Sequence, residues 1–232
     1  MNDIRHDINA PARRDEIEGE GAIRGTARME AFADGVFAIA FTLPVVAIAF
    51  PGIARGGDVL GNDLIVLWPA YLGYLLASLI IGLYWVQHHF SGAIYRTTGH
   101  WFLLATVLFL TMIGFVAFPA RVFAEHLPDP AARPAGAQYL VVTLAITSLC
   151  WLVKWTVGRT HGQVDARLEP AYVNRLDRHF RALALGNVLA ALLVFVRWEA
   201  GLGLSMLLLL WLARPPETPR YVTESPIVEG ES

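Results

Sequence analysis

The chain has 232 residues, of which 55% are hydrophobic and 16% charged, with a mean hydropathy of +0.47 and a formal net charge of −2. An ordinary soluble domain carries about 25% charged residues, so this composition excludes one and points to an all-α integral membrane protein. The single cysteine, Cys150, excludes a disulfide framework or a cysteine metal site, and no basic patch interleaved with aromatics offers a surface for nucleic acid.

Residues 1–27 mix acids and bases without an apolar core, which is no signal peptide and predicts a cytoplasmic disordered tail. Six apolar stretches follow, at about 31–50, 64–89, 102–122, 137–158, 183–198 and 200–213, against about 20 residues needed per spanning helix. They define a six-helix membrane domain over 28–213. "RTHGQVDARLEPAYVNRLDRHFR", residues 159–181, is polar and arginine-rich and predicts a loop with a short helix lying against the headgroups. The last two stretches are short, and "VRWEAG" between them is either a tight turn or a break within one helix, so five spans stand as the alternative to six. Residues 214–232, proline-rich and acidic, predict a second disordered tail. With six spans, 14 of the 18 lysines and arginines fall on one side and 4 on the other. Cytoplasmic flanks carry the positive excess, which places both termini in the cytoplasm and the protein in the plasma (inner) membrane.

The residue types that carry enzymatic or metal chemistry are poorly arranged. His88 and His89 are adjacent, so on a helix they point about 100° apart and cannot grip one ion as an i, i+4 pair does. "TVG" at Thr156–Gly158 lacks the rest of a carbonyl filter loop, since Arg159 follows it. Asn187 reads as an interhelical hydrogen bond and Lys154 as a snorkelling cation. The chain is therefore expected to be no enzyme and to need no cofactor.

Asp34 is different. It lies inside the first apolar stretch, where an ionised carboxylate is costly and marks either a site or a polar contact between helices. With the first helix starting inside and the second ending inside, Asp34 shares a depth with Trp85, His88 and His89. Ser78, Trp85 and His89 lie along one face of the second helix, with His88 beside them. Arg28, an indole N–H or an imidazole could each satisfy the carboxylate. The opposite face of the first helix is a smooth stripe: taking Ile39 as zero, Thr42, Leu43 and Val46 lie within about 60°, while Asp34 points about 140° away. From periodicity alone such a stripe is lipid-facing, packed core, or the wall of a path.

The stretch "RMEAFADGVFAIAFTL", residues 28–43, resembles the signature R-x-x-x-F-S-D-G-x-F-A-I-A-x-T-L of the transmembrane protein 175 family, prokaryotic branch. "SLIIGLYWVQHH", residues 78–89, is similar to that family's second-helix pattern of serine, tryptophan and paired histidines, with Leu79 in place of phenylalanine, and "FVAFPA" is similar to its proline-containing element in the third helix. The resemblance implies a six-helix subunit, a homotetramer in the lipid bilayer, and a potassium-permeable leak channel whose pore is lined by the first helix, with K+ as the permeant ion. Carried over position by position, it implies a constriction at Ile39 followed by Thr42, Leu43 and Val46. It also implies a structural polar network of Arg28, Phe32, Asp34, Ser78, Trp85, His88 and His89. The chain departs from the pattern at Ala33, where serine is usual, at Pro44, which removes a helix hydrogen bond, and at Ala47, where many relatives carry glutamate.

Two other functions compete with a potassium channel. A proton channel or proton-coupled transporter would use Asp34, His88 and His89 as relay groups, although no acid or histidine continues the relay along the first helix. A membrane scaffold would act through its tails, which carry no recognisable binding motif.

Overall fold

The structure is a computed structural model and describes residues 25–46, 48, 61, 64–215 and 217–222. Most of the expected N-terminal tail, Ala47 and residues 223–232 lie outside the described residues. The helices are α1 (Ala27–Val46), α2 (Trp68–Gly92), α3 (His100–Phe115), α4 (Ala117–His126), α5 (Arg133–Thr160), α6 (Pro170–Val196) and α7 (Trp198–Leu212).

Several helix boundaries have a local cause. Pro69, Pro134 and Pro170 sit in the first turns of α2, α5 and α6, where a missing N–H costs nothing. Pro119 cannot donate to the Phe115 carbonyl, and the third apolar stretch is accordingly divided at Val116 into α3 and α4. Pro44 lies within α1, which continues through it for two residues more.

Among the described residues, five spans are long and apolar enough to cross a membrane: α1, α2, α3 with α4, α5, and α6. The sixth expected span, α7, has only 15 residues, a rise of about 22 Å against a hydrocarbon core of about 30 Å. It folds back along α6 after the single extended residue Arg197 (φ −146°, ψ 103°), so "VRWEAG" is a tight turn between two helices. Gly201 makes that corner feasible. A Cβ there would lie 2.5 Å from the backbone of Val194, which cannot move aside without opening the hairpin.

The α6 helix corrects another expectation. Residues 170–181 form no separate helix lying on the headgroups. They are the first three turns of α6, because nothing after Pro170 breaks the helix before Arg197. Residues 217–222 differ from expectation as well: composition suggested disorder, yet the segment is stitched to the α5–α6 loop. Glu169 N–H donates to the Arg220 carbonyl at 2.8 Å and Val222 N–H to the Arg167 carbonyl at 2.8 Å. Arg175 grips Glu217 through two hydrogen bonds of 3.1 and 2.9 Å. The α2–α3 loop joins the same layer through Arg96 N–H to the Gln163 carbonyl, 2.9 Å. Polar composition predicts solvation, but it does not register backbone pairing between distant loops.

The α5 helix is the centre of the bundle, packed by α3, α4, α6 and α7, whereas α1 is peripheral and rests chiefly on α2 and α3. Between α6 and α7, the Ser205 hydroxyl donates to Asn187 Oδ1 at 3.1 Å, the interhelical hydrogen bond expected of that asparagine.

Candidate functional site

The α1 helix buries one narrow face. Met29, Ala33, Phe37 and Ala40, spaced i, i+4, i+8, i+11, are its buried residues, and they fall within about 80° of one another at 100° per residue. The remaining circumference is left open, as are apolar faces of other spans, Leu185, Leu189 and Leu192 of α6 among them. Ala33 is fully buried, in a sector where a small side chain allows close packing.

One open flank is the stripe. Ile39, Leu43 and Val46 are 57, 59 and 78% exposed. Thr42 is also exposed, and its hydroxyl donates to the Ala38 carbonyl at 2.8 Å. That bond uses the hydroxyl's proton and leaves its oxygen free to accept or to meet a cation. Ile39 and Leu43 also border an apolar cavity of about 470 Å³ that they share with Tyr74 of α2, Gly114 of α3 and Phe118 of α4.

The other open flank carries Asp34. Trp85 Nε1 donates to Asp34 Oδ1 at 3.1 Å, tying α1 to α2. The Trp85 ring lies 5.6 Å from His89 at an interplanar angle of 31°. Of the seven residues expected in a polar network, these three form a connected group. Arg28 and Phe32 are exposed, Phe32 at 57%. Ser78 is buried, and its hydroxyl has no hydrogen-bond partner among the described residues.

His88 does not reach Asp34. Its ring packs into an aromatic cluster, 5.4 Å from Phe37, 6.3 Å from Phe109 and 6.4 Å from Trp151, and Nε2 finds no partner among the described residues. The reason is periodicity on α2. Ile81, Tyr84, His88 and Ser91 repeat at i, i+3, i+7, i+10 and form its buried face, while His89, about 100° round, is exposed.

A model of the family described as the endosomal/lysosomal potassium channel TMEM175 matches residues 28–117, which span α1 to the start of α4 and contain every residue of both flanks. A potassium channel of Chamaesiphon minutus is 34% identical over 192 residues, 81% of this chain and 93% of that protein. The chain belongs to the TMEM175 family. A potassium channel of Streptomyces collinus is 33% identical over 170 residues, 73% of this chain and 82% of its own. The crystal structure of a lysosomal potassium-selective channel TMEM175 homolog from Chamaesiphon minutus superposes with a TM-score of 0.66 at 29% identity, covering 81% of this chain and 96% of that one.

Lys154 departs most from the sequence reading of this TMEM175 member. Instead of snorkelling, its side chain is 1% exposed. Nζ sits over the rings of Trp151, Tyr95, Phe109 and Phe102 at 5.0, 5.4, 5.9 and 6.0 Å, with no hydrogen-bond partner among the described residues. Trp151 and Trp155 bracket the lysine within one turn of α5, a cue visible in "WLVKW". Nearby "TVG" is ordinary helix, where Gly158 leaves room for the rings of Tyr95 and Phe102: a Cβ there would come within 2.7 and 2.9 Å of them.

Proposed function

We propose that this protein is a potassium-permeable leak channel of the plasma membrane, built from four copies whose α1 helices surround an axial path, with both termini cytoplasmic. The observation that carries the reading is the state of α1. Its first half is tied to α2, one face is buried, and yet Ile39, Thr42, Leu43 and Val46 form an exposed apolar stripe with a single hydroxyl. The names of the relatives, both potassium channels, supply the permeant ion. One helix cannot enclose a path, so closed rotational symmetry supplies the other walls.

Four Ile39 side chains then make the tightest and driest ring. A bare apolar constriction opposes ions by dewetting. K+ sheds its water more readily than Na+ and passes more easily, with the Thr42 oxygens available one turn further along. The Asp34–Trp85–His89 group lies on the flank away from the path and holds α1 at its angle. The proton-relay alternative is disfavoured by His88, which is enclosed among Phe37, Phe109 and Trp151 rather than facing Asp34.

The experiment is K+ and Na+ flux from reconstituted vesicles for the parent, Ile39→Asn and Val45→Asn. Asparagine at Ile39 supplies amides that replace part of an ion's hydration shell, so flux should rise and discrimination between the two cations should fall. Val45 is about 120° away around the helix and should tolerate the change. Equal behaviour of the two variants would remove the stripe from the conduction path.

A further inference from the structure

At the arginine-rich end of the bundle, a second cavity of about 290 Å³ opens between the start of α6, the end of α7 and Gln87 of α2. Its polar wall holds Arg175, His179 and Arg214, and its floor is Phe180 and Trp211. Wall and floor touch, the His179 and Trp211 rings lying 4.3 Å apart, and Gln87 Nε2 donates to the Leu212 carbonyl at 2.8 Å, tying the end of α7 to α2. The cavity also has an acidic member, Glu217, but both its oxygens are engaged by Arg175. Arg175 and Glu217 cancel, which leaves Arg214 and the His179 ring as the groups able to meet a further anion.

The position matters as much as the charge. The cavity lies where α7 ends at Leu212 and the apolar part of α6 gives way to its arginine-bearing first turns. With the arginine-bearing end facing the cytoplasm, that boundary corresponds to the depth at which a bilayer would present headgroup phosphates. A guanidinium matches two phosphate oxygens at once, and the aromatic floor suits the glycerol and first methylenes below the phosphate. A freely soluble anion would gain nothing from that floor.

We propose that this cavity binds the headgroup phosphate of an anionic phospholipid, held by Arg214 and His179 beside the Arg175–Glu217 pair. The site lies apart from the α1 stripe and does not depend on the channel reading. Occupancy would brace the α6–α7 hairpin against the segment 217–222, which starts at the same cavity wall.

The test uses the full-length protein in detergent, with phosphatidylglycerol, phosphatidylcholine or inorganic phosphate added in turn, read by thermal unfolding and by native mass spectrometry. Phosphatidylglycerol should raise the unfolding temperature in a saturable way and appear as bound lipid, while phosphatidylcholine and inorganic phosphate at equal concentration should not. Arg214→Gln with His179→Gln should weaken the phosphatidylglycerol effect about tenfold or more, the scale of one lost charged hydrogen bond. Arg178→Gln, an exposed arginine of the same helix outside the cavity, should leave it unchanged. Equal weakening by Arg178→Gln would mean diffuse surface charge and overturn the proposal, as would unaltered lipid affinity in the double variant. A response to inorganic phosphate matching that to the lipid would overturn the assignment to a headgroup. Should the double variant fold poorly, Arg214→Gln alone, at an exposed position beyond the last helix, carries the same comparison.

Discussion

Replacing Lys154 by methionine should make this protein more stable. The ammonium is 1% exposed and has no hydrogen-bond partner among the described residues, and burying a charge in this way costs several kcal/mol even after local relaxation. The compensation is the attraction of the surrounding rings at 5.0 to 6.0 Å, worth about 2 kcal/mol or somewhat more for a desolvated cation, together with the field of the Glu30 carboxylate on α1. Four rings do not contribute four times that amount, because they share one charge and only part of each ring faces it. Methionine has nearly the same length and a polarizable sulfur that packs well against aromatic edges, so it removes the desolvation cost while keeping the volume filled. Replacing whole buried ion pairs by well-packed apolar groups has stabilised other proteins by about 1–4 kcal/mol; here one charge is removed and the Glu30 carboxylate stays behind, so a gain at the lower end of that range is expected. At about 2–4 °C per kcal/mol for a chain of this size, the unfolding midpoint should rise by several degrees. Thermal unfolding in detergent, followed by tryptophan emission, measures it directly, since Trp151 and Trp155 flank the site. Lys154→Ala supplies the contrast: it removes the charge and also leaves a cavity, which costs about 2–5 kcal/mol for a side chain of this size. If methionine and alanine lower the midpoint equally, the ammonium is a net stabilising group with a partner such as a buried water, and the reasoning fails.

If four copies assemble as proposed, Asp34→Ala should lower the tetramer fraction on gel filtration more than it lowers the stability of the subunit, because it deletes the Trp85 hydrogen bond on an open flank of α1; a fully tetrameric variant without flux would instead put the carboxylate in the path. Gly201→Val should destabilise the α6–α7 hairpin by several kcal/mol, seen as a lower unfolding midpoint, since even a Cβ would stand 2.5 Å from the Val194 backbone. Glu217→Gln should free the segment 217–222 to proteolysis, because one side of the Arg175 grip loses its charge. The hydrogen bonds from Arg167, ahead of its backbone and charge contributions, hold the Asp165 carboxyl below its ordinary range. A depressed folded value stabilises the α5–α6 loop fully above the unfolded value, near pH 4, and that stabilisation is lost as pH falls through the folded value. The difference in unfolding midpoint between the parent and Asp165→Asn should therefore shrink below about pH 4; a difference unchanged at low pH would show that the ion pair contributes nothing.

What the amino-acid sequence determined by itself was everything that depends on one helix at a time. Hydrophobic length set the spans of α1, α2, the α3–α4 pair and α5. The 100° step between residues set the angle between Asp34 and the Ile39 stripe, and an angle on a rigid helix does not change when the helix packs. The similarity of residues 28–89 to one family was legible for the same reason, being written in contiguous turns. Periodicity does not say, however, which sector of a helix its neighbours cover. Only the packing of α1 and α3 on α2 decided that His88 belongs to the aromatic core while His89 stays outside, and only the meeting of α3, α5 and the α2–α3 loop enclosed Lys154 in rings drawn from both sides. The same holds for residues 217–222, whose polar composition suits solvent but whose backbone groups pair with a loop about 50 residues earlier. Local sequence encodes the free energy of forming an element, whereas these outcomes turn on contacts between residues far apart in the chain, whose energies exist only once the bundle has closed.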